Sequence, residues 1–337
     1  MDYEQTFLNL FFELARIESA SDEEQLGKRC PTTDGQLRVA EYLLDVMKKI
    51  GLSDMRLDEN GYVYGTLPNN LPAGVKAPRI GFIAHMDTNP EGKGPNGVNP
   101  KVITYNGGDI VLESGQKIEL ATNGHLADLV GAQLVVTDGT SLLGADDKAG
   151  IAEILAMVVC LKDHPEILRP EIKVCFVPDE EVGHQAKHLD PAKEGMDAAY
   201  TADGGQLGEY NAETFNAVRA TVTITGKPVH LMEAKEKGFI NAITVMRRFL
   251  EEMECQLMPA ERSEGREPHT TVIGTKGDYS QMTASVVLRG FHEVDIVHQT
   301  NELNRIAKKT EFDFPGCKVL VEYREEYKNM AFFLKDH

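Results

Sequence analysis

The chain has 337 residues, which is more than one hydrophobic core usually contains, so its length predicts two domains. With 42% hydrophobic and 26% charged residues, its composition is that of a folded, soluble protein. The formal net charge of −18 argues against nucleic acid and anionic membrane as partners, because both attract basic surfaces.

The N-terminal part of the chain alternates helix and strand patterns. Apolar residues at helical spacing predict helices over residues 3–18 and 33–50, the second ending before Gly51. Alternating residues on both sides of Asn60-Gly61 predict a β-hairpin. An apolar run over 151–161 predicts a third helix. Four further apolar strands are predicted over residues 79–84, 134–136, 171–177 and 198–202.

Acidic residues or a histidine follow each of these four strands. They are His85 and Asp87, Asp146 and Asp147, Glu180 and Glu181, and Asp203. Ligands of open α/β sheets bind beyond the carboxyl ends of the strands, so the repeated layout predicts one shared site. Each signal alone is more often an ordinary turn, and the two aspartates could simply cap the helix that follows them. Together, an oxygen-rich set with one imidazole favours a catalytic pair of zinc, cobalt or manganese ions.

The spacing of these residues also suggests which of them bind metal and which orient a ligand or a bound water. His85 and Asp87 are two apart on an extended chain and lie on the same side, so Asp87 can fix the second imidazole nitrogen. Consecutive residues at a strand end point in different directions. One of Glu180 and Glu181 could therefore bind metal while the other reaches a bound water.

After Gly208 the pattern changes to that of an α+β unit. Strands are predicted over 215–225, 270–274, 283–291 and 318–323, with helices over 239–255 and 292–309. This order predicts an antiparallel sheet with helices on one face, and places the domain boundary near 208–214.

The cysteine spacing and the lack of a signal-peptide or membrane-spanning pattern indicate the cellular compartment. The five cysteines are far apart and form no C-x-x-C pair, which favours free thiols over a disulfide framework. The N-terminus has no basic stretch followed by an apolar core, and no apolar run approaches the ~20 residues that span a bilayer. We expect a soluble, cytoplasmic protein.

Four motifs carry a resemblance to a known family, in order and over essentially the whole chain. They are His85-x-Asp87, Gly144-Ala145-Asp146-Asp147-Lys148-Ala149-Gly150, Pro178-Asp179-Glu180-Glu181-Val182-Gly183 and Asp203-Gly204-Gly205-x-Leu207-Gly208-Glu209. The set resembles the dizinc aminopeptidases related to peptidase T, within the superfamily of carboxypeptidase G2 and the aminoacylases. The resemblance implies a mixed-sheet α/β zinc-peptidase catalytic domain over residues 1–210 and an inserted α+β lid and dimerisation domain over 211–323. Residues 324–337 would begin the return into the catalytic domain.

The resemblance also implies two zinc ions per subunit and their ligands. Asp146 would bridge the two ions. His85 and Asp203 would complete the first site, and Glu181 would bind the second ion. In the family the chain continues into further strands, a Gly-rich loop and a final histidine on the second metal. We do not assign His337 to that role, so the second site is expected to lack one ligand here.

The implied catalytic residues are Asp87, which would orient the histidine ligand, and Glu180, the general base. A carboxylate beside an activated water can take its proton and deliver it to the leaving amine. This predicts a zinc-dependent aminopeptidase that removes the N-terminal residue of short peptides, in particular tripeptides.

Three residues of the second domain match family positions around the substrate. His230, in Gly226-Lys227-Pro228-Val229-His230, would reach the active site of the partner subunit and bind the oxyanion, which implies a homodimer. Asn241 would lie near the substrate, and Arg289 would bind the peptide carboxylate. As bare residues, a helix Asn and a strand Arg would usually be structural, and His230 could be an exposed His after a strand. Leu231-Met232 stands where the family has Pro-Gly.

Two other functions stay open at this point. The chain could be a non-catalytic metal-binding remnant, because the catalytic domain is expected to be C-terminally truncated, as a fragment or as a natural form. It could also be a related dipeptidase or N-acyl amino acid deacylase.

Overall fold

The structure, a computed structural model, describes residues 2–92, 98–184, 187–205 and 207–334. The chain divides into two compact units, Met1–Glu209 and Tyr210–His337. No helix among the described residues is long and apolar enough to cross a membrane.

Unit 1 has the mixed α/β architecture expected from its sequence. Its strands are β1 Ser53–Leu57, β2 Val63–Leu67, β3 Ile80–His85, β4 Lys101–Thr104, β5 Ile110–Val111, β6 Lys117–Ile118, β7 Gln133–Val136, β8 Ile172–Val177 and β9 Ala198–Thr201. Its α-helices are α1 Tyr3–Arg16, α2 Asp34–Ile50 and α3 Ala145–Asp163. Short 3₁₀ helices cover Glu23–Gln25, Pro90–Gly92 and Gly124–Leu129.

The main sheet of unit 1 has the strand order β1-β2-β8-β3-β9. Strand β3 runs parallel to β8 and β9, whereas β2 runs antiparallel to β1 and β8. The predicted hairpin is confirmed, since β1 pairs with β2 around the turn that contains Gly61 at φ +86°. Of the four apolar strands, β7 differs from the other three: it pairs with β4 in a separate two-stranded sheet.

The helices of unit 1 pack their apolar residues on this sheet. Leu14 of α1, Leu43 of α2 and Leu155 of α3 are fully buried in one cluster with Phe176 of β8. Helix α2 ends as predicted, because Gly51 takes a left-handed conformation at φ +80° and donates to the carbonyls of the last turn. The helices therefore fix α3 against the sheet, with its first turn at the ends of the parallel strands.

Close packing beside α3 depends on Gly150. A Cβ atom at this position would overlap the Ala202 carbonyl oxygen and the Asp147 carboxylate. Although alanine normally favours a helix, Gly150→Ala should therefore lower the free energy of unfolding by about 1–3 kcal/mol. Urea denaturation measures this change. Gly124→Ala is the matched control, since nothing lies within 4 Å of its added Cβ, and an equal loss in both variants would contradict the packing argument.

Unit 2 is the predicted antiparallel α+β arrangement. Its elements are β10 Asn216–Thr225, α4 Ala234–Lys237, α5 Ala242–Gln256, β11 His269–Gly277, β12 Gln281–Gly290, α6 Glu293–Asp313 and β13 Lys318–Tyr327. Short 3₁₀ helices cover Leu231–Glu233, Ala260–Arg262 and Met330–Phe332. The sheet order is β11-β12-β10-β13, and all neighbours are antiparallel. Alternate residues of β10, such as Val222 and Ile224, are buried against Phe249 of α5 and Ile306 of α6.

The C-terminal part of unit 2 extends beyond the predicted strand. Strand β13 continues to Tyr327 and pairs with β10 over that length, so residues 324–327 belong to the sheet of unit 2. Asn329 then donates its backbone N–H to Asn216 Oδ1 within the same unit. The division into domains at positions 210 and 323 stays a prediction, and His337 lies outside the described residues.

Candidate metal centre

Three of the predicted site residues emerge from neighbouring parallel strands. His85 ends β3, while Glu180 and Asp203 follow β8 and β9, which flank β3 on either side. The pairing continues past the strands, since Met86 donates its N–H to the Val177 carbonyl at 2.8 Å. The carboxyl ends of parallel strands meet at one sheet edge, and this places the three side chains together.

The first turn of α3 supplies two more carboxylates. Both residues fall within the range of α3, but neither Asp146 nor Asp147 has helical φ/ψ angles, and the peptide bond between them is cis. Asp146 Oδ1 lies 2.8 Å from His85 Nε2, and Asp147 Oδ2 accepts the His85 backbone N–H at 3.0 Å. Asp147 is buried and does not cap the helix, whose N-cap is Gly144.

The His85 imidazole is held at both nitrogens. Its Nε2 lies 3.9 Å from Asp203 Oδ2 and 4.0 Å from Glu180 Oε2, in addition to the Asp146 contact. Its Nδ1 lies 3.1 Å from the Asp87 carbonyl oxygen and 3.4 Å from Asp87 Oδ1. The ring is 1% exposed, so its orientation is fixed by packing as well as by these contacts.

Asp87 also makes backbone contacts that the H-x-D spacing does not predict. Its two carboxylate oxygens accept the backbone N–H groups of Glu180 at 3.0 Å and Glu181 at 3.1 Å. The same fully buried carboxylate thus touches the imidazole and holds the turn after β8. The Glu181 side chain accepts from Asn89 Nδ2 at 3.1 Å, a contact for which the sequence gives no signal.

Burial and crowded negative charge shift the pKa values of the cluster. Burial alone would lower the pKa of His85, but Asp87, Asp147 and Glu180 raise it to about 10. Burial, opposed by His85 and reinforced by Asp203, raises the pKa of Glu180 to about 7. Burial likewise raises the pKa of Asp147 to about 8 and that of Asp203 above its usual value.

These residues fit a divalent cation. Carboxylates converge on one buried imidazole, and their charge favours extra positive charge between them. Lys148 follows Asp147 in the chain, but its ammonium group does not provide this positive charge, because it donates to the Ile17 carbonyl at 2.6 Å. An imidazole with several carboxylate oxygens suits zinc, manganese or cobalt better than calcium.

Two aspartates compete for the role of ligand beside His85. The ligand atoms of His85, Asp147 and Asp203 all lie within 4.8 Å of one another. The sequence instead predicts Asp146, which contacts His85 Nε2 directly and has a side chain that is 70% exposed. Both carboxylates reach the centre from one turn of α3.

Metal loading should be coupled to proton release. Binding needs a neutral imidazole and ionised carboxylates, whereas the pKa of about 10 at His85 and about 7 at Glu180 keep protons in the site at neutral pH. Zinc added to chelator-treated protein should therefore release protons, and its apparent affinity should rise from about pH 6 to about pH 8. Calorimetry in two buffers with different ionisation enthalpies measures the release. Proton uptake, or an affinity independent of pH, would contradict this account.

The three predicted substrate residues all belong to unit 2. His230 is exposed, and its Nδ1 accepts the Met232 N–H at 3.3 Å. Asn241 caps α5, with Oδ1 accepting the Ile243 N–H at 2.9 Å. Arg289 is mostly buried on β12.

Within unit 2 these residues lie at opposite ends of the sheet. Arg289 pairs in register with Ala217 near the start of β10, whereas His230 follows the other end of β10 at Thr225. Asn241 is at the His230 end, since the neighbouring residues Ile240 and Lys227 form a β-bridge. A rise of ~3.3 Å per strand residue puts Ala217 and Thr225 about 26 Å apart.

Arg289 also has an intramolecular partner. Its Nη2 lies 3.1 Å from Glu326 Oε2, and the other oxygen of Glu326 accepts from Arg219 Nε at 2.7 Å. The two guanidinium groups hold the pKa of Glu326 below its usual value against the opposing effect of burial. Arg289 is thus paired with a carboxylate of its own chain.

The chain is similar in fold to solved peptidase structures. A tripeptidase from Staphylococcus aureus superposes with a TM-score of 0.71, is 22% identical, and is matched over 97% of this chain and 76% of its own. A dinuclear metal-binding peptidase of the M20 family from Bacillus subtilis gives a TM-score of 0.60 at 10% identity, over 97% of this chain and 75% of its own. The fold is therefore that of the M20 metallopeptidases, and the cluster around His85 lies at the strand ends of this fold.

Sequence similarity narrows this class to one family. No protein-family model matches the chain. Peptidase T from Clostridium botulinum (strain 657 / Type Ba4), however, is 41% identical over 326 residues, which is 96% of this chain and 78% of that protein. The chain belongs to the peptidase T family, which confirms the resemblance predicted from the motifs.

Proposed function

We propose that the chain is a metal-dependent aminopeptidase that removes the N-terminal residue from tripeptides. The main observation behind this is the convergence of Asp146, Glu180 and Asp203 on His85, in a chain 41% identical to a peptidase T. The metal is proposed to be zinc, since one imidazole and several carboxylates suit a catalytic zinc site. We also propose that the enzyme acts in the cytoplasm as a homodimer.

Two ions are proposed to share the centre. Asp146 would bridge them, His85 and Asp203 would complete the first site, and Glu181 would bind the second. With the imidazole of His85 assigned to the first ion and carboxylates alone to the second, the first ion should be bound more tightly. Metal analysis after dialysis tests this, because two ions retained equally would contradict the proposed difference.

The chain's own residues would supply proton transfer and orientation. When bound, the metal ions would lower the pKa of the attacking water and polarise the scissile carbonyl. Glu180 would take the proton from that water and deliver it to the leaving amine. The Asp87 carboxylate would hold Glu180 in place by accepting the backbone N–H of Glu180, and it would keep the His85 imidazole oriented.

The placement of the substrate residues supports a dimeric site. A tripeptide spans at most about 11 Å, whereas Arg289 lies beside Ala217 and His230 follows Thr225, which is about 26 Å further along β10. If both contact one substrate, they come from different chains. Arg289 would bind the substrate carboxylate by exchanging its Glu326 partner, Asn241 would line the site near His230, and His230 would stabilise the oxyanion.

Co-expression of two inactive variants tests this arrangement. His230→Ala and Arg289→Ala should each lose most activity, while a mixture should regain about a quarter of the wild-type rate. The reason is that half of the dimers would be mixed, and each mixed dimer would have one intact site. No gain over the separate variants would exclude a site shared between two chains.

The proposed reaction is tested directly by product analysis. Purified protein with added zinc should release the free N-terminal residue from a tripeptide and should leave the N-acetylated tripeptide intact. Cleavage of the acetylated substrate would instead favour an N-acyl amino acid deacylase, and cleavage of dipeptides alone would favour a dipeptidase. Bound metal without turnover would favour a non-catalytic metal-binding protein.

A further inference from the structure

The residue before the proposed general base has a buried environment that the reaction does not explain. Asp179 is 1% exposed, and its carboxylate lies beside the N-terminus of α2. The Thr32 N–H donates to both oxygens at 3.1 and 3.0 Å, and the Thr32 hydroxyl donates to Oδ1 at 2.6 Å. Gln36 Nε2 adds a fourth hydrogen bond at 2.7 Å.

The backbone of Asp179 is held by the same neighbour. Its N–H donates to Gln36 Oε1 at 3.0 Å, so the Gln36 amide engages both the main chain and the side chain of Asp179. Asp179 adopts φ +57°, in the left-handed region that is unfavourable for residues with a Cβ atom. The hydrogen bonds therefore stabilise a backbone conformation that is uncommon for residues other than glycine, asparagine and aspartate.

We propose that Asp179 is a positioning residue, and that its contacts with Thr32 and Gln36 set the direction in which Glu180 enters the metal centre. Glu180 follows the left-handed residue directly, and its own N–H is held by Asp87 at 3.0 Å. Asp179 thus fixes the main chain just before Glu180, and the Asp87 carboxylate holds the N–H groups on both sides of the Glu180 Cα atom. Any rotation at Asp179 would redirect the Glu180 side chain relative to His85.

The alternative is that Asp179 only stabilises the fold by accepting hydrogen bonds at the N-terminus of α2, where a negative charge is favourable. The two accounts differ in what a loss of the contacts changes. A purely structural role predicts lower stability with normal turnover in the molecules that remain folded. A positioning role predicts low kcat in molecules that are folded and loaded with metal.

The test rests on the proposed aminopeptidase function and uses the zinc-loaded protein with a tripeptide. Asp179→Asn suits it, because asparagine tolerates the left-handed conformation but has one acceptor oxygen instead of two. We expect kcat to fall about 10- to 100-fold with KM and the metal content unchanged, as for other groups that orient catalytic residues. Thr32→Val, which removes the hydroxyl donor, should lower kcat in the same direction by a smaller factor.

Thr33→Val is the matched control. The Thr33 hydroxyl donates to the Ala20 carbonyl at 2.8 Å and accepts from Gln36 Nε2 at a longer 3.4 Å, but it does not contact Asp179. This variant should keep the wild-type kcat. Equal losses in Thr32→Val and Thr33→Val, or a wild-type kcat in metal-loaded Asp179→Asn, would overturn the positioning role.

A double variant adds a readout of direct coupling. Gln36→Glu alone would set a second carboxylate against Asp179, whereas Gln36→Glu with Asp179→Asn restores a donor–acceptor pair and the original net charge. The double variant should have a higher kcat than either single variant, and losses that simply multiply would contradict the proposal. A wild-type protein that does not cleave tripeptides would refute the proposed function instead, which keeps the two failures distinct.

Discussion

Replacing Glu180 by glutamine is expected to lower kcat by at least about 100-fold while leaving the bound metal unchanged. Glutamine keeps the size of the side chain and an oxygen, but it cannot accept the proton of the attacking water. The Asp87 contact is to the backbone N–H of residue 180, so the turn after β8 should keep its conformation. Steady-state kinetics on a tripeptide and metal analysis of the same sample measure the two quantities.

Glu181→Gln is the matched comparison, because its backbone N–H is held by Asp87 in the same way. It should weaken metal binding, and added zinc should restore part of its activity. Added zinc should not restore Glu180→Gln. Full activity in Glu180→Gln would contradict its assignment as the general base, and metal loss in that variant would make it a ligand.

Much of this centre could be predicted from the sequence because it follows local rules. An apolar run that ends in polar residues marks a strand end, and the structure brings His85, Glu180 and Asp203 to one sheet edge as expected. Gly51 and Gly61 likewise predict a helix end and a hairpin turn, because glycine readily adopts the positive φ angles that both positions require. The identity of the ligands as a functional set stays a prediction.

The features that could not be predicted depend on contacts between distant parts of the chain. An apolar pattern does not specify a strand's partner, and β7 accordingly pairs with β4 instead of joining the main sheet. Asp179 and Thr32 are far apart in the sequence, so their buried hydrogen bonds could not be predicted. The Arg289–Glu326 pair joins β12 and β13, which lie on either side of β10 and do not pair with each other. Local spacing also cannot say which of two consecutive aspartates turns toward the metal.

Asp146→Asn and Asp147→Asn are expected to differ strongly in metal affinity and turnover. If Asp146 bridges two ions, Asp146→Asn removes charge from both sites at once. Metal affinity should then fall by at least about 100-fold, and turnover should be lost with it. Calorimetric titration with zinc and kinetics at saturating zinc measure the two effects.

Asp147→Asn should have a much smaller effect on metal binding. Its contact with the His85 backbone N–H needs one acceptor oxygen, which asparagine retains, and Asp147 is not a ligand in the proposed assignment. If the compact set of His85, Asp147 and Asp203 held the metal instead, this variant would lose the ion and Asp146→Asn would keep it. Since the two substitutions are chemically identical and adjacent, a reversed order of affinities would reassign the bridging ligand to Asp147.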